Sequence, residues 1–125
     1  MTLVDSSGWI EHLTDGPQAD AYDQYLSADD LLVPTVVIYE VYKFMKREVS
    51  EEAAIAVTGR MRAGRVVLLD ESLALEAADL SLQYGLAMAD AIVYAGARGH
   101  GAVLVTSDED FAHLPGVLYL PKTAQ

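Results

Sequence analysis

The stretch Met88–Phe111, MADAIVYAGARGHGAVLVTSDEDF, decides the fold. Its first half is a run of small and apolar residues that reads as a helix beginning near Asp90 and stopped by Gly99 and Gly101. Its second half, Ala102 to Thr106, is a short unbroken apolar run, the pattern of a strand buried on both faces. Asp108 therefore lies just past the carboxyl end of a strand, and in an open α/β sheet that edge is where ligands bind. Asp90 occupies the first turn of the preceding helix.

Working outward from this unit, the chain alternates in the same way. Thr2 to Val4 is a β-prone run ending at Asp5, and SSGWIEHL after it suits a short helix with Trp9, Ile10 and Leu13 on one face. The turn Asp15-Gly16-Pro17 precedes a second helix, QADAYDQYL, closed by Asp29 and Asp30. Leu31 to Val33 is the next strand, and Pro34-Thr35 opens a helix to about Glu48 with Thr35 as its cap. A helix from Ser50, acidic at its start and basic at Arg60 and Arg62, suits the macrodipole and ends at Gly64. Val66 to Leu69 reads as a third strand, followed by a long helix capped by Asp70 and stopped by Gly85. Beyond Asp108, DEDFAHL forms one helical turn, Val117 to Leu120 a last strand, and Pro121 onward a tail. Alternating strands and helices give an α/β architecture of three layers, a short parallel sheet of four to five strands flanked by helices on both faces.

The totals limit what such a chain can do. With 125 residues it is read as one domain, residues 1–125. No segment has the apolar length of a membrane span and the N-terminus lacks a signal pattern, so the expectation is a soluble, cytoplasmic protein without membrane contact. Absence of cysteine excludes disulfides, thiolate metal sites and cysteine nucleophiles. A formal charge of −11, from 8 Lys and Arg against 19 Asp and Glu, argues against a general nucleic-acid coat protein. It leaves room for a nuclease whose acids are gathered around cations.

Each acid taken singly has an ordinary structural use. Asp5 and Asp108 can cap helices, Asp90 can complement a helix dipole, and Glu40, at the boundary of the apolar stripe of VVIYEVYKFM, can pair with Lys43. Taken together they are harder to dismiss. Asp5 and Asp108 both follow strands, and the connection rules place parallel strand ends on one edge. Glu40 and Asp90 lie early enough in their helices to overhang it. Carboxylates gathered with few basic partners repel one another unless cations occupy the cluster. Hard oxygen ligands without Cys or paired His point to Mg2+, with Mn2+ as substitute, and to phosphodiester chemistry.

The order LVDSS, IYEVYKF, ADAIVYA and LVTSDEDF closely resembles the PIN domain, specifically the short VapC-type toxins of bacterial toxin–antitoxin pairs. The resemblance spans essentially the whole chain. It implies a PIN-like fold and a metal-dependent endoribonuclease that hydrolyses RNA with a metal-activated water, leaving a 5′-phosphate. By the same resemblance Asp5, Glu40, Asp90 and Asp108 would be the catalytic Mg2+ ligands, directly or through water. Asp110 would assist a second metal, and Ser7 and Thr106 would orient the acids or a bound water. It further implies a cognate antitoxin that blocks the acidic cleft, and a homodimer.

With so few cations, RNA binding would rely on local basic groups: Lys43, Lys46 and Arg47 on one helix, with Arg60, Arg62, Arg65 and Arg98. His12, His100 and His113 lack ligand spacing and read as surface groups. Two other functions compete. A catalytically idle PIN-like module would bind a partner without cutting RNA. A receiver-like signalling domain would use Asp70 as phosphoacceptor and Lys122 as the lysine after a late strand, but Asp5 is followed by serines where a receiver wants a second acid.

Overall fold

A computed structural model describes residues 1–122, and residues 123–125 of the expected tail lie outside the described residues. Five parallel strands form one sheet: β1 (Thr2–Val4), β2 (Leu31–Pro34), β3 (Arg65–Val67), β4 (Val103–Thr106) and β5 (Val117–Tyr119), in the order β3-β2-β1-β4-β5. Six helices flank it: α1 (Ser6–Leu13), α2 (Ala19–Leu26), α3 (Thr35–Glu48), α4 (Glu51–Arg62), α5 (Glu71–Tyr84) and α6 (Met88–Gly99). A one-turn 3-10 helix, Glu109–Phe111, separates β4 from β5.

The strand order explains the layers. The chain steps from β1 to β2 to β3 in one direction, then crosses back over β1 to lay down β4. Right-handed crossovers taken in opposite directions put their helices on opposite faces of the sheet. The central strands are thus covered twice, which is why they are apolar runs rather than alternating ones: Leu3, Val4, Leu32, Val33, Leu104 and Val105 are each at most 1% exposed. Each such side chain contributes about 1.5–3 kcal/mol by leaving water.

Helix α6 is buried without a break from Ala91 to Ala97, and its small residues let it lie against the sheet. A Cβ on Gly96 would meet only Leu3 Cδ1, at 3.8 Å. At Gly8 the approach is far tighter, since a Cβ would lie 2.5 Å from Tyr22 Cε1 and 2.6 Å from Val4 Cγ1. Gly85, at φ 68°, closes α5 in the left-handed region and donates its N–H to Ser81 O at 2.8 Å.

Several element ends differ from the sequence reading. β3 stops at Val67, and the apolar Leu68 and Leu69 stand 67% and 48% exposed beyond an edge strand. α6 starts at Met88, two residues before Asp90, and has no capping side chain. α3 is capped at Pro34 without a side-chain bond, so Thr35 is its first residue and not its cap. Asp70 caps α5 as expected, accepting Leu73 N–H at 2.9 Å. Among the described residues no helix is long and apolar enough to cross a membrane.

Candidate active site

Reversal of the chain direction makes a switch point between β1 and β4, and in open parallel sheets the crevice outside the carboxyl ends at such a point receives ligands. Asp5 follows β1 and Asp108 follows β4 by two residues, so the two flank this crevice. The register Val4↔Val105 and the bond from Asp5 N–H to Val105 O at 3.3 Å hold the two strand ends level.

Asp5 is 4% exposed and both its oxygens are engaged. Oδ1 accepts Ser7 Oγ–H at 2.8 Å and Gly8 N–H at 3.2 Å, and Oδ2 accepts Thr106 Oγ1–H at 2.8 Å. Those hydroxyls bind onward: Ser7 Oγ accepts Ser107 N–H at 3.0 Å, and Thr106 Oγ1 accepts Asp108 N–H at 2.9 Å. Ser7 and Thr106 thus lock Asp5 to the loop that carries Asp108. Burial pushes the Asp5 carboxyl from 3.8 up to about 6 against those stabilising hydrogen bonds, with the Asp108 charge adding to the rise.

Three carboxylates gather at the mouth. One oxygen from each of Asp90, Asp108 and Asp110 can be chosen so that all lie within 4.8 Å of one another. Asp90 reaches the crevice because α6 packs on β4 and touches α3. Burial pushes it from 3.8 to about 6, and the charges of Asp108, Asp110 and Glu40 push the same way. Glu40, half-buried on α3, is also raised, first by burial and then by Asp108, with a hydrogen bond from Ser6 opposing. Asp108 is therefore the neighbour that Asp5, Glu40 and Asp90 share. Asp108 Oδ1 also accepts Asp110 N–H at 2.9 Å, so one side chain caps the 3-10 turn and draws Asp110 into the group.

Among the described residues the ion pairs involve Asp23, Asp30, Glu48 and Glu51, and none reaches the five site acids. A group of hard oxygen donors with no basic partner, in which Asp5, Glu40 and Asp90 are held above the ordinary carboxylate range, has the chemistry of a divalent-cation site. All five predicted acids thus lie about one crevice, Asp90, Asp108 and Asp110 with an oxygen each within 4.8 Å of the others and Asp5 and Glu40 near enough to feel the Asp108 charge. Asp70 lies past the edge strand, away from the crevice, which removes the receiver arrangement.

The predicted cations Lys43, Lys46 and Arg47 are exposed on α3. Lys46 Nζ is 3.3 Å from Glu51, Arg47 Nε is 2.9 Å from Glu48, and Lys43 Nζ sits 5.6 Å from the centroid of the Tyr39 ring. Of the histidines only His113 is exposed. His100 Nδ1 is 2.8 Å from Gly96 O, and His12 makes a 3.0 Å contact with Asp23 that lacks hydrogen-bond geometry.

Sequence reasoning missed Ser6, Tyr22 and Ser107. Tyr22 Oη is 2.7 Å from Ser107 Oγ in the interior, and burial raises its phenol pKa. Ser6 and Ser107 stand inside the quoted motifs, so adjacency was a signal for them. Tyr22, on α2, gave none.

Comparison with solved structures places this geometry. A toxin-antitoxin complex from Klebsiella pneumoniae is 22% identical at TM-score 0.81, covering 94% of this chain and 96% of that one. The Mycobacterium tuberculosis toxin VapC20, described as cleaving the sarcin-ricin loop, is 20% identical at TM-score 0.78, covering 97% and 100%. DNA-bound VapBC from Salmonella typhimurium is 15% identical at TM-score 0.72, covering 98% and 100%. These likenesses show a shared fold. No curated protein matched the sequence. The PIN-domain family model matches residues 2–117, and with its acids gathered at the switch point of a five-stranded parallel sheet the chain belongs to the PIN-domain family.

Proposed function

We propose that the protein is a Mg2+-dependent endoribonuclease, the toxin of a toxin–antitoxin pair, with residues 1–125 working as a single domain in the cytoplasm. The observation that carries this is the close approach of the Asp90, Asp108 and Asp110 carboxylates, without a basic partner, at the switch point. These three would hold Mg2+, or Mn2+ in its place, with Glu40 and Asp5 joining directly or through water. A divalent ion bound there would supply an acidified water at neutral pH and charge stabilisation for the leaving oxygen of a phosphodiester.

The chain's own groups supply position. Ser7 and Thr106 fix Asp5, and Thr106 holds the Asp108 backbone, so the acids on two adjacent strands cannot drift apart. Asp108 and Asp110 also line an open cavity, where an RNA strand would enter beside the cluster.

The likeness to a toxin-antitoxin complex and to VapBC supports an antitoxin as partner, seated over the acidic crevice. A second copy is the other expected partner. Leu75, Leu82 and Met88, exposed by 63%, 87% and 77%, offer apolar area for it.

The test is cleavage of a mixed cellular RNA pool by purified protein in Mg2+, in Mn2+ and in chelator, beside folded Asp90→Asn and Asp108→Asn variants. Cutting by the parent in either metal, stopped by chelator and by both substitutions, is expected. A folded parent that binds no divalent ion and cuts nothing would replace the nuclease with a partner-binding module.

A further inference from the structure

An open cavity of about 480 Å3 shares Asp108 and Asp110 with the carboxylate cluster and adds Tyr119, Pro121 and Lys122 to its wall. These last residues are held in place. Tyr119 is the register partner of Thr106, and Leu120 N–H donates to Thr106 O at 2.7 Å, so the half-buried Tyr119 stands at the carboxyl edge one strand from the site. The next residue is tied as well, since Gln18 Nε2–H donates to Pro121 O at 2.8 Å. Lys122 follows directly and is exposed.

An aromatic ring and an ammonium group beside the carboxylate cluster match the repeating chemistry of a single nucleic-acid strand. The ring face stacks on any unpaired base, and the ammonium neutralises a phosphate that the nearby acids would otherwise repel. The α3 cations Lys43, Lys46 and Arg47 do not line this cavity, so Lys122 is the basic side chain on its wall. A base locked in a duplex offers no free face to Tyr119, so the chemistry selects an unpaired strand, which on the nuclease reading is RNA.

We propose that Tyr119 and Lys122 form a nucleotide subsite beside the carboxylate cluster, with Tyr119 stacking an unpaired base of RNA and Lys122 taking an adjoining phosphate. The proposal rests on the nuclease reading and extends it to how substrate is held.

Two measurements test it. Binding of a fluorescent eight-nucleotide single-stranded RNA is followed by anisotropy in Mg2+ in the Asp90→Asn background, and steady-state cleavage of the same RNA is followed in the parent background. Tyr119→Ala and Tyr119→Leu, the latter filling the space without an aromatic face, should each weaken binding about 5- to 100-fold. Tyr119→Phe should stay near the parent. Lys122→Gln should flatten the slope of log Kd against log salt by about 0.7. In cleavage the losses should fall on KM rather than kcat.

If the parent cuts RNA while neither Tyr119→Leu nor Lys122→Gln changes Kd or KM, the subsite is wrong and the nuclease stands. If nothing cuts but binding depends on Tyr119, the subsite stands and the nuclease falls. Absence of both cutting and binding overturns both.

Discussion

Asp90→Asn should make the metal-free protein more stable while abolishing its cleavage of RNA. In the folded chain burial and the charges of Asp108, Asp110 and Glu40 raise the Asp90 carboxyl from 3.8 to about 6. At 1.36 kcal/mol per pH unit this corresponds to about 3 kcal/mol of destabilisation when the group is ionised. Asp90 is only half-buried, so solvent screening reduces the figure to about 1–2 kcal/mol, and loss of the favourable helix-dipole interaction leaves about 1 kcal/mol in favour of Asn. For a chain of this size that is a rise in Tm of about 3–5 °C in chelator at pH 7.5.

The pH dependence has a definite sign. A carboxyl with a raised folded pKa is bound to its proton more tightly in the native state. The destabilisation is therefore full above pH 6, shrinks as pH falls through 6, and is gone below about pH 4. The advantage of Asn should follow that curve. Added Mg2+ should reverse the ranking, because the parent gains about 2.7 kcal/mol at a hundredfold excess over Kd while the variant binds poorly. Thermal unfolding at pH 4 and 7.5, with chelator and with Mg2+, reads all of this. An Asp90→Asn protein less stable than the parent in chelator at pH 7.5 would mean that Asp90 serves the helix dipole and that the acids are not strained together.

Other perturbations have equally definite expectations. Ser7→Ala removes a donor to Asp5 and leaves Ser107 N–H without its acceptor, so it should cost about 1–3 kcal/mol in urea unfolding and about tenfold or more in cleavage rate. Gly96→Ala should stabilise by about 0.5–1 kcal/mol, since its Cβ meets only Leu3 Cδ1 at ordinary contact distance and the helix interior prefers alanine. Gly8→Ala should do the reverse by about 1–3 kcal/mol, because Tyr22 and Val4 occupy the space. Equal melting temperatures for the two alanine variants would contradict this account of the packing.

Much of the fold and the convergence of acids could be read before any coordinates, because both rest on local signals. A strand end followed by an acid, as at Asp5 and Asp108, and an acid in the first turn of a small-residue helix, as at Asp90, are short-range patterns. Strand order is not local. Only the return of the chain across β1 makes β1 and β4 neighbours, and this puts the switch point between Asp5 and Asp108. The end of β3 was misjudged because Leu68 and Leu69 are apolar by type yet stand in solvent past an edge strand. The contacts of Lys46 with Glu51 and of Arg47 with Glu48 depend on side-chain rotamers, which no local pattern specifies. Tyr22 escaped notice because its partner Ser107 lies 85 positions along the chain.

Capping and function are not alternatives at these positions, and this defines a last experiment. Asp5, Asp70 and Asp108 each follow a strand and each accept a backbone N–H from the turn that follows, from Gly8, Leu73 and Asp110 respectively. Local geometry therefore does not distinguish them. Position in the sheet does: Asp5 and Asp108 flank the switch point, whereas Asp70 follows the edge strand and is exposed. Asp70→Ala should accordingly cost about 1 kcal/mol of stability, the ordinary loss of an N-cap, and leave RNA cleavage per folded molecule at the parent rate. Asp108→Asn keeps a side-chain oxygen able to cap and removes the charge that raises Asp5, Glu40 and Asp90, so in chelator its stability should not fall while cleavage disappears. A fall in cleavage for Asp70→Ala as deep as that for Asp108→Asn would show that strand order is not what separates a structural aspartate from a functional one in this chain.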